Sequence, residues 1–214
     1  MSHTFAIGDI HGCIEPLNRL LDRIDAYASG GTVVFLGDYV DRGPDSRAVV
    51  ARLIAGSKSP GWRWLALKGN HEDMMVRASN GECDESWWLE NGGAQTLQSY
   101  GSEIPEAHLH WARDLPLIHI DDYRIFVHAG VREGVYLEDQ KPRDMMWTRV
   151  EPDHSGTYWG KHLCHGHTPS PKNPVTVGDR TNIDSACVFG GKLSCAVFDD
   201  SVPGGPIEFL EVRA

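Results

Sequence analysis

Asp38, Asp41 and Arg42 stand within five residues of one another, just after the apolar run TVVFL at 32–36. A carboxylate planted past the end of a buried strand is costly unless something positive meets it. Two acids and a guanidinium in that position suggest a metal and an oxyanion. The chain repeats the format four more times. Residues 5–7 lead into Asp9 and His11 of GDIHG, and residues 62–67 lead through Lys68 into Asn70 and His71 of GNHE. Residues 123–127 lead into His128, and residues 161–164 into His165, Gly166, His167 and Thr168.

Asp9 and His11, two apart on extended backbone, point to one side and can grip one ion. Asp38 can bridge to a second ion through its two oxygens, and Asn70, His128 and His167 can complete that second site. Carboxylate, imidazole and amide together suit manganese, iron or zinc better than calcium. Two such ions about 3.5–4 Å apart lower the pKa of a shared water and clamp both ends of an in-line phosphoryl displacement. The attacking oxygen then comes from a metal-bridging hydroxide and not from a side chain.

These residues need a scaffold that brings strand ends together. Leu17, Leu20, Leu21, Ile24 and Tyr27 predict a helix over 15–28, with Pro16 in its first turn. Asp45 or Ser46 can cap a second helix whose apolar face is Val49, Val50, Leu53 and Ile54. The order β-α-β-α-β with short connections predicts right-handed crossovers and a parallel core, with ligands beyond the carboxyl ends of the strands. A helix is expected from Glu72 to about Arg77. The segment at about 76–116, with Trp87, Trp88 and an Asn91-Gly92-Gly93 break, reads as a helical cap whose tryptophans serve packing. A hairpin is expected over 117–128, then a loop over 132–144 running into MWTR at 146–149. Strands are expected at 174–177, 181–184, 193–198 and 207–212, the last two completing a second sheet.

The 214 residues suit a single domain, 1–214, with the cap inserted in it. No window resembles a membrane span, and the N-terminus enters a strand at once, with no room for a signal peptide. Five cysteines without a CxxC pair read as free thiols in a reducing, cytoplasmic setting. A net charge of −10 argues against non-specific nucleic-acid binding. It leaves room for a phosphorylated protein or a small phosphoester, since cations in the site reverse the local field.

GDIHG, GDYVDRG, GNHE, a lone His before Ala-Gly, and GHT, in this order, resemble the calcineurin-like metallophosphoesterases. The resemblance is closest to the phosphoprotein phosphatase branch, in particular its compact bacterial and bacteriophage enzymes. It implies an α/β fold of two packed mixed β-sheets flanked by helices, with two divalent ions, Mn²⁺ foremost, at the sheet edge. It implies one metal site from Asp9, His11 and Asp38 and another from Asp38, Asn70, His128 and His167. It makes His71 the acid that protonates the leaving oxygen, Asp41 the carboxylate that orients it, and Arg42 a phosphate-binding arginine. Arg149, in MWTR, resembles the second such arginine; Asn70 also borders the substrate. A planar guanidinium can hold two phosphate oxygens at once.

Other residues near the motifs read differently. His165 precedes the glycine of GHT and is left outside the ligand set, as a supporting or surface residue. Arg132 reads as lining a solvated loop. Cys13 and Cys164 read as small buried thiols. Asp184 fits either support of a ligand histidine or a turn.

Three functions compete. The first is a phosphoserine/phosphothreonine protein phosphatase. The second is a symmetrical dinucleoside polyphosphate hydrolase, acting on diadenosine tetraphosphate. The third is a scaffold of the same fold without catalysis. All ligand types and the His71–Asp41 pair are present, which disfavours the scaffold. The bacterial diadenosine tetraphosphatases that this chain resembles carry Gln where His11 stands and lack the acid at Asp41. Keeping both favours the first.

Overall fold

The computed structural model describes residues 2–101 and 103–214. Strands β1 (His3–Ile7), β2 (Gly31–Phe35) and β3 (Trp62–Ala66) alternate with helices α1 (Ile14–Tyr27) and α2 (Ser46–Ala55). The three strands pair in parallel, Phe5 opposite Val33 and Val33 opposite Trp64, as the short β-α-β connections predict. Pro16, Leu17, Leu20, Leu21 and Ile24 form the buried face of α1. Asp45 caps α2, its carboxylate accepting the Ala48 N–H at 2.9 Å.

Helix α3 (Asn70–Ser79) starts two residues before the expected Glu72. Glu72 itself explains the early start, because its carboxylate reaches back to accept the Gly69 N–H at 2.9 Å and satisfies a donor at the helix entry. Asn70 and His71 thereby become first-turn helical residues. The segment after it forms α4 (Glu85–Trp88), a π-turn at Leu89–Gly93, α5 (Ala94–Tyr100) and α6 (Glu106–Asp114). It packs against α2 and α3.

The expected hairpin is β4 (Ile118–Ile120) with β5 (Arg124–Val127). Helix α7 (Pro142–Trp147) occupies the end of the expected loop and part of MWTR. Six residues are too few to show a helical period, and only Pro142 in its first turn marks it in sequence. Then come β6 (His162–His165), β7 (Val175–Val177), β8 (Arg180–Asn182), β9 (Lys192–Asp199) and β10 (Glu208–Arg213).

The last two strands do not complete the second sheet. β9 pairs antiparallel with β1, and β10 with β9, giving a first sheet of order β10-β9-β1-β2-β3. The second sheet is β4-β5-β6-β8-β7. Both faces of β9 are covered, which suits an interior strand, and alternation alone does not say which sheet it joins.

The packing follows the period of two. Phe5, Ile7, Val33, Phe35, Cys195 and Val197 face the helical layer. Ala6, Val34, Leu36, Ala196 and Phe198 face the other way and meet Phe126, Cys164 and Ile183 of the second sheet. Ile125, Val127 and Leu163 turn outward to Val131, Met145 and Tyr158. Two mixed five-stranded sheets thus stack between helices. Among the described residues no helix is long and apolar enough to cross a membrane.

Candidate metal centre

The loops after β1, β2 and β5, the loop after β6 and the first turn of α3 converge where the two sheets meet. His11, Asp38, Asp41, Arg42 and His167 all have positive φ, between 45° and 73°. Only Trp159 and Ala186 share this among the other described non-glycine residues. Such backbone is unfavourable for these residues unless the surroundings fix it, and it gathers where side chains must be aimed.

Asp38 is the hub. Its Oδ1 lies 3.3 Å from His128 Nε2 and accepts the His71 N–H at 3.1 Å. Its Oδ2 lies 3.6 Å from His11 Nε2 and 3.9 Å from His71 Nε2. Two groups of ligand-type atoms result, each within 4.8 Å: His11, Asp38 and His71, and Asp38, His128 and His167. Asn70 joins the second, its Oδ1 2.9 Å from His128 Nε2. Asp9, expected in the first group, turns its oxygens to the backbone N–H of His167, at 3.1 Å each. His71 occupies the third place in that group.

The tautomers fit cation binding. His11 Nδ1 donates to the Val40 carbonyl at 2.8 Å and His128 Nδ1 to the Leu36 carbonyl at 2.9 Å. A carbonyl can only accept, so Nδ1 carries a proton in both rings and Nε2 is the atom each ring turns to the centre. His128 Nε2 then faces Asn70 Oδ1, Asp38 Oδ1 and, at 3.2 Å, His167 Nδ1. Oxygens and ring nitrogens crowded this closely call for a positive charge among them, a proton on Nε2 or a metal ion in its place. Burial opposes a charge on His128, yet Asp38, Asp9 and Glu72 push its pKa up to about 9. Burial likewise works against the Asp38 carboxylate, but His128, His71 and His11 hold it well below the usual range. His167 Nε2 is buried and has no hydrogen-bond partner among the described residues. The donor set fits divalent cations bound by nitrogen and oxygen.

His71 and Asp41 form a buried pair, Nδ1 to Oδ2 at 2.6 Å. Burial raises Asp41 to about 7 and lowers His71 to about 4. Thr96 donates to Asp41 Oδ1 at 2.7 Å and the Trp88 indole N–H to both carboxylate oxygens at 3.0–3.1 Å. These donors favour the carboxylate form, which holds a proton on His71 Nδ1 and points Nε2 at Asp38. Arg42 Nη1 donates to His11 Nε2 at 2.8 Å, so its guanidinium lies over the first group. The Arg42 N–H is received by the Gly92 carbonyl at 3.1 Å. Gly92 has φ +110°, and a Cβ there would stand 2.6 Å from Arg42 Cγ. The Asn91-Gly92-Gly93 break lets this segment press against Arg42.

Arg149 is exposed and makes no hydrogen bond among the described residues. It is near enough for its charge to be among those lowering His167. Arg132 shares a groove with it and pairs with Asp144 at 3.8 Å. His165 is not on the surface. It is fully buried, with Arg180 donating to its Nε2 at 2.9 Å and its Nδ1 2.9 Å from the Gly166 carbonyl, and it belongs to neither ligand group. Asp184 accepts the Ala186 N–H at 3.1 Å, the turn role. Cys13 sits beneath the His11 carbonyl, and Cys164 lies between the sheets.

Four contributors escaped the sequence reading. Glu72, fully buried, accepts the N–H groups of Asp38, Tyr39, Val40 and Gly69 and fixes the loop that carries Asp38. Its place three residues after Gly69 was a usable signal. Trp88, Thr96 and Ser46, whose Oγ accepts the Asp41 N–H at 3.1 Å, have no local signal, because their role exists only through long-range contact.

A family model described as calcineurin-like phosphoesterase matches residues 3–197. The chain is 28% identical to serine/threonine-protein phosphatase 1 of Salmonella typhimurium, over 91% of each chain. It is 29% identical to the asymmetrical bis(5'-nucleosyl)-tetraphosphatase PrpE of Oceanobacillus iheyensis, over 97% of this chain and 91% of that protein. A solved structure described as a candidate diadenosine tetraphosphatase superposes with a TM-score of 0.69 at 24% identity, covering 99% of this chain and 93% of that one.

Proposed function

The chain belongs to the calcineurin-like phosphoesterase family and is a metal-dependent phosphatase, and within that class we propose that it hydrolyses phosphoserine and phosphothreonine in proteins. The observation that carries this reading is the His71–Asp41 pair, buried and held by Trp88 and Thr96 with Nε2 turned to the ligand groups. The alkoxide of a serine or threonine is a poor leaving group and needs a proton as the P–O bond breaks. A positioned acid is worth about 10²–10⁴ in rate there.

In this reading Asp9, His11 and Asp38 would hold one ion, and Asp38, Asn70, His128 and His167 the other. Two divalent cations, Mn²⁺ foremost with Fe or Zn also suited, would supply water activation and charge neutralisation. Arg42, with Arg149 at the rim, holds the phosphoryl oxygens, and Asn70 borders them. To act as the acid His71 takes up a second proton, on Nε2, as the phosphate dianion enters beside it, and gives that proton to the leaving oxygen; Asp41 receives the Nδ1 N–H and so orients the ring and balances its transient charge. Glu72 holds the loop of Asp38 in place throughout.

A second reading, hydrolysis of a dinucleoside tetraphosphate, draws on the printed activities of the Oceanobacillus relative and the solved neighbour. That relative is an asymmetrical enzyme, in place of the symmetrical type expected from sequence. A nucleotide leaving group departs as a phosphate and calls for little protonation, so it makes weaker use of His71. Turnover of a phosphopeptide panel against diadenosine tetraphosphate, with Mn²⁺ supplied, separates the two. Peptide turnover far above nucleotide turnover supports the first reading; the reverse, with AMP and ATP as products, overturns it.

A further inference from the structure

A groove of about 610 Å³ is lined by Asp73 and Arg77 of α3, Trp87 of α4, and Pro142, Arg143, Met146 and Trp147 of α7. Two of its walls run on from the metal centre, one along α3 and one through Trp147. Asn70, Asp73 and Arg77, spaced three and four apart, share one face of α3, so the stripe that begins beside His128 continues along the groove. On the other wall the Trp147 ring meets His167 edge-on, centroids 6.2 Å apart. Trp147 stacks on Trp87 at 5.9 Å and 23°, and Trp87 remains 37% exposed. The stacked indole pair thus presents an apolar patch on the groove wall beside the metal centre.

We propose that this groove binds the polypeptide flanking the phosphorylated residue and selects a bulky aromatic or apolar side chain on the Trp87–Trp147 pair and an acidic side chain near Arg77 and Arg143. The inference rests on the phosphoprotein reading above and adds its sequence preference. The indoles, Met146 and Pro142 offer an apolar bed. Arg77 is partly engaged by Asp73 at 3.8 Å, whereas Arg143 is exposed and has no ion-pair partner among the described residues. These guanidiniums form a local positive spot on a chain of net charge −10, complementary to acidic peptide and repelled by basic peptide. Length agrees: from Asn70 to Arg77 the helix rises about 10 Å, which an extended peptide covers in about three residues. The apolar residue therefore falls within two positions of the phosphoresidue, and the acidic one about three positions away.

The test uses the Mn²⁺-loaded protein and phosphoserine peptides of equal length. Trp, Leu or Ala is placed within two positions on either side, and Asp, Ala or Lys three positions away. The expected kcat/KM for the Trp and Asp peptide is at least tenfold above that for the Ala and Lys peptide. Trp87→Ala should lower the ratio of Trp-peptide to p-nitrophenyl phosphate turnover by about tenfold, in line with an indole stacking contact. Arg143→Glu should reverse the charge preference so that Lys peptides exceed Asp peptides, an outcome misfolding cannot produce. Peptides hydrolysed without preference, or a preference indifferent to both substitutions, overturn the inference and leave the phosphoprotein reading standing. Hydrolysis of p-nitrophenyl phosphate and diadenosine tetraphosphate but of no peptide overturns both.

Discussion

The indole N–H of Trp88 points at the carboxylate of Asp41, 3.0 Å from Oδ2, the same oxygen that receives His71 Nδ1 at 2.6 Å. A residue of α4 thus holds the His71–Asp41 pair in place. Trp88 is itself buried, and a Cβ on Gly93 would come within 2.5 Å of its ring. The segment expected as a cap whose tryptophans serve packing therefore also anchors Asp41.

Trp88→Phe and Thr96→Val each remove a donor from a buried carboxylate, a change worth about 1.5–3 kcal/mol. Turnover of an alkyl phosphate is expected to fall roughly tenfold or more on that scale, with less loss on p-nitrophenyl phosphate and unchanged bound metal. Thr96→Ser, which keeps the hydroxyl, should restore most of the rate. Equal loss on both substrates, with no rescue by serine, would show a packing role only.

His71→Asn should keep both ions and cut alkyl phosphate turnover by about 10²–10⁴. An aryl ester, whose leaving group needs little protonation, should suffer much less. A Brønsted plot across leaving groups checks this: the variant's slope should steepen, and an unchanged slope assigns the proton to another group.

Metal removal should abolish activity, with Mn²⁺ the best restorer. Elemental analysis should find two ions per chain in the loaded enzyme and fewer in Asp38→Ala, because Asp38 faces both ligand groups. His128→Ala should lose ion occupancy at the second group alone. Activity undiminished after exhaustive chelation counts against the whole assignment.

Arg42→Ala is expected to raise KM and lower kcat, since a guanidinium over the first ligand group meets both substrate and transition state. Arg149→Ala should do so more weakly from its exposed position. Arg132→Ala, already paired with Asp144, should stay within about twofold of wild type, the range of a screened surface pair. A crippled Arg132→Ala beside a healthy Arg149→Ala would move the second phosphate contact to the other arginine of that groove.

His162 offers a check away from the ions. Burial, with Arg124 adding to it and Asp179 opposing, lowers its pKa from 6.5 to about 4. The folded state therefore favours neutral imidazole, whose contribution is complete above 6.5 and is lost as pH falls from 6.5 toward 4. Urea unfolding of the metal-free protein should show a shallower decline across that window in His162→Gln than in wild type. Parallel curves would place the acid sensitivity elsewhere.

What the sequence by itself determined is local. Asp9, His11, Asp38, Asn70, His128 and His167 stood out as candidates because each follows an apolar run and sits beside a glycine within a few residues, and the fold brings them to one place. The β-α-β-α-β order was legible because period two and period 3.6 alternate along it. Tertiary structure alone decided that β9 and β10 join the first sheet, since their alternation fits either partner. It alone made a helix of Pro142–Trp147, too short to show a period, and placed its Trp147 against Trp87 and His167. It also turned Asp9 toward the His167 N–H, a contact across 158 positions. Trp88 and Thr96 lie 47 and 55 positions from Asp41, and a hydrogen bond closed over that span leaves no mark on the residues between.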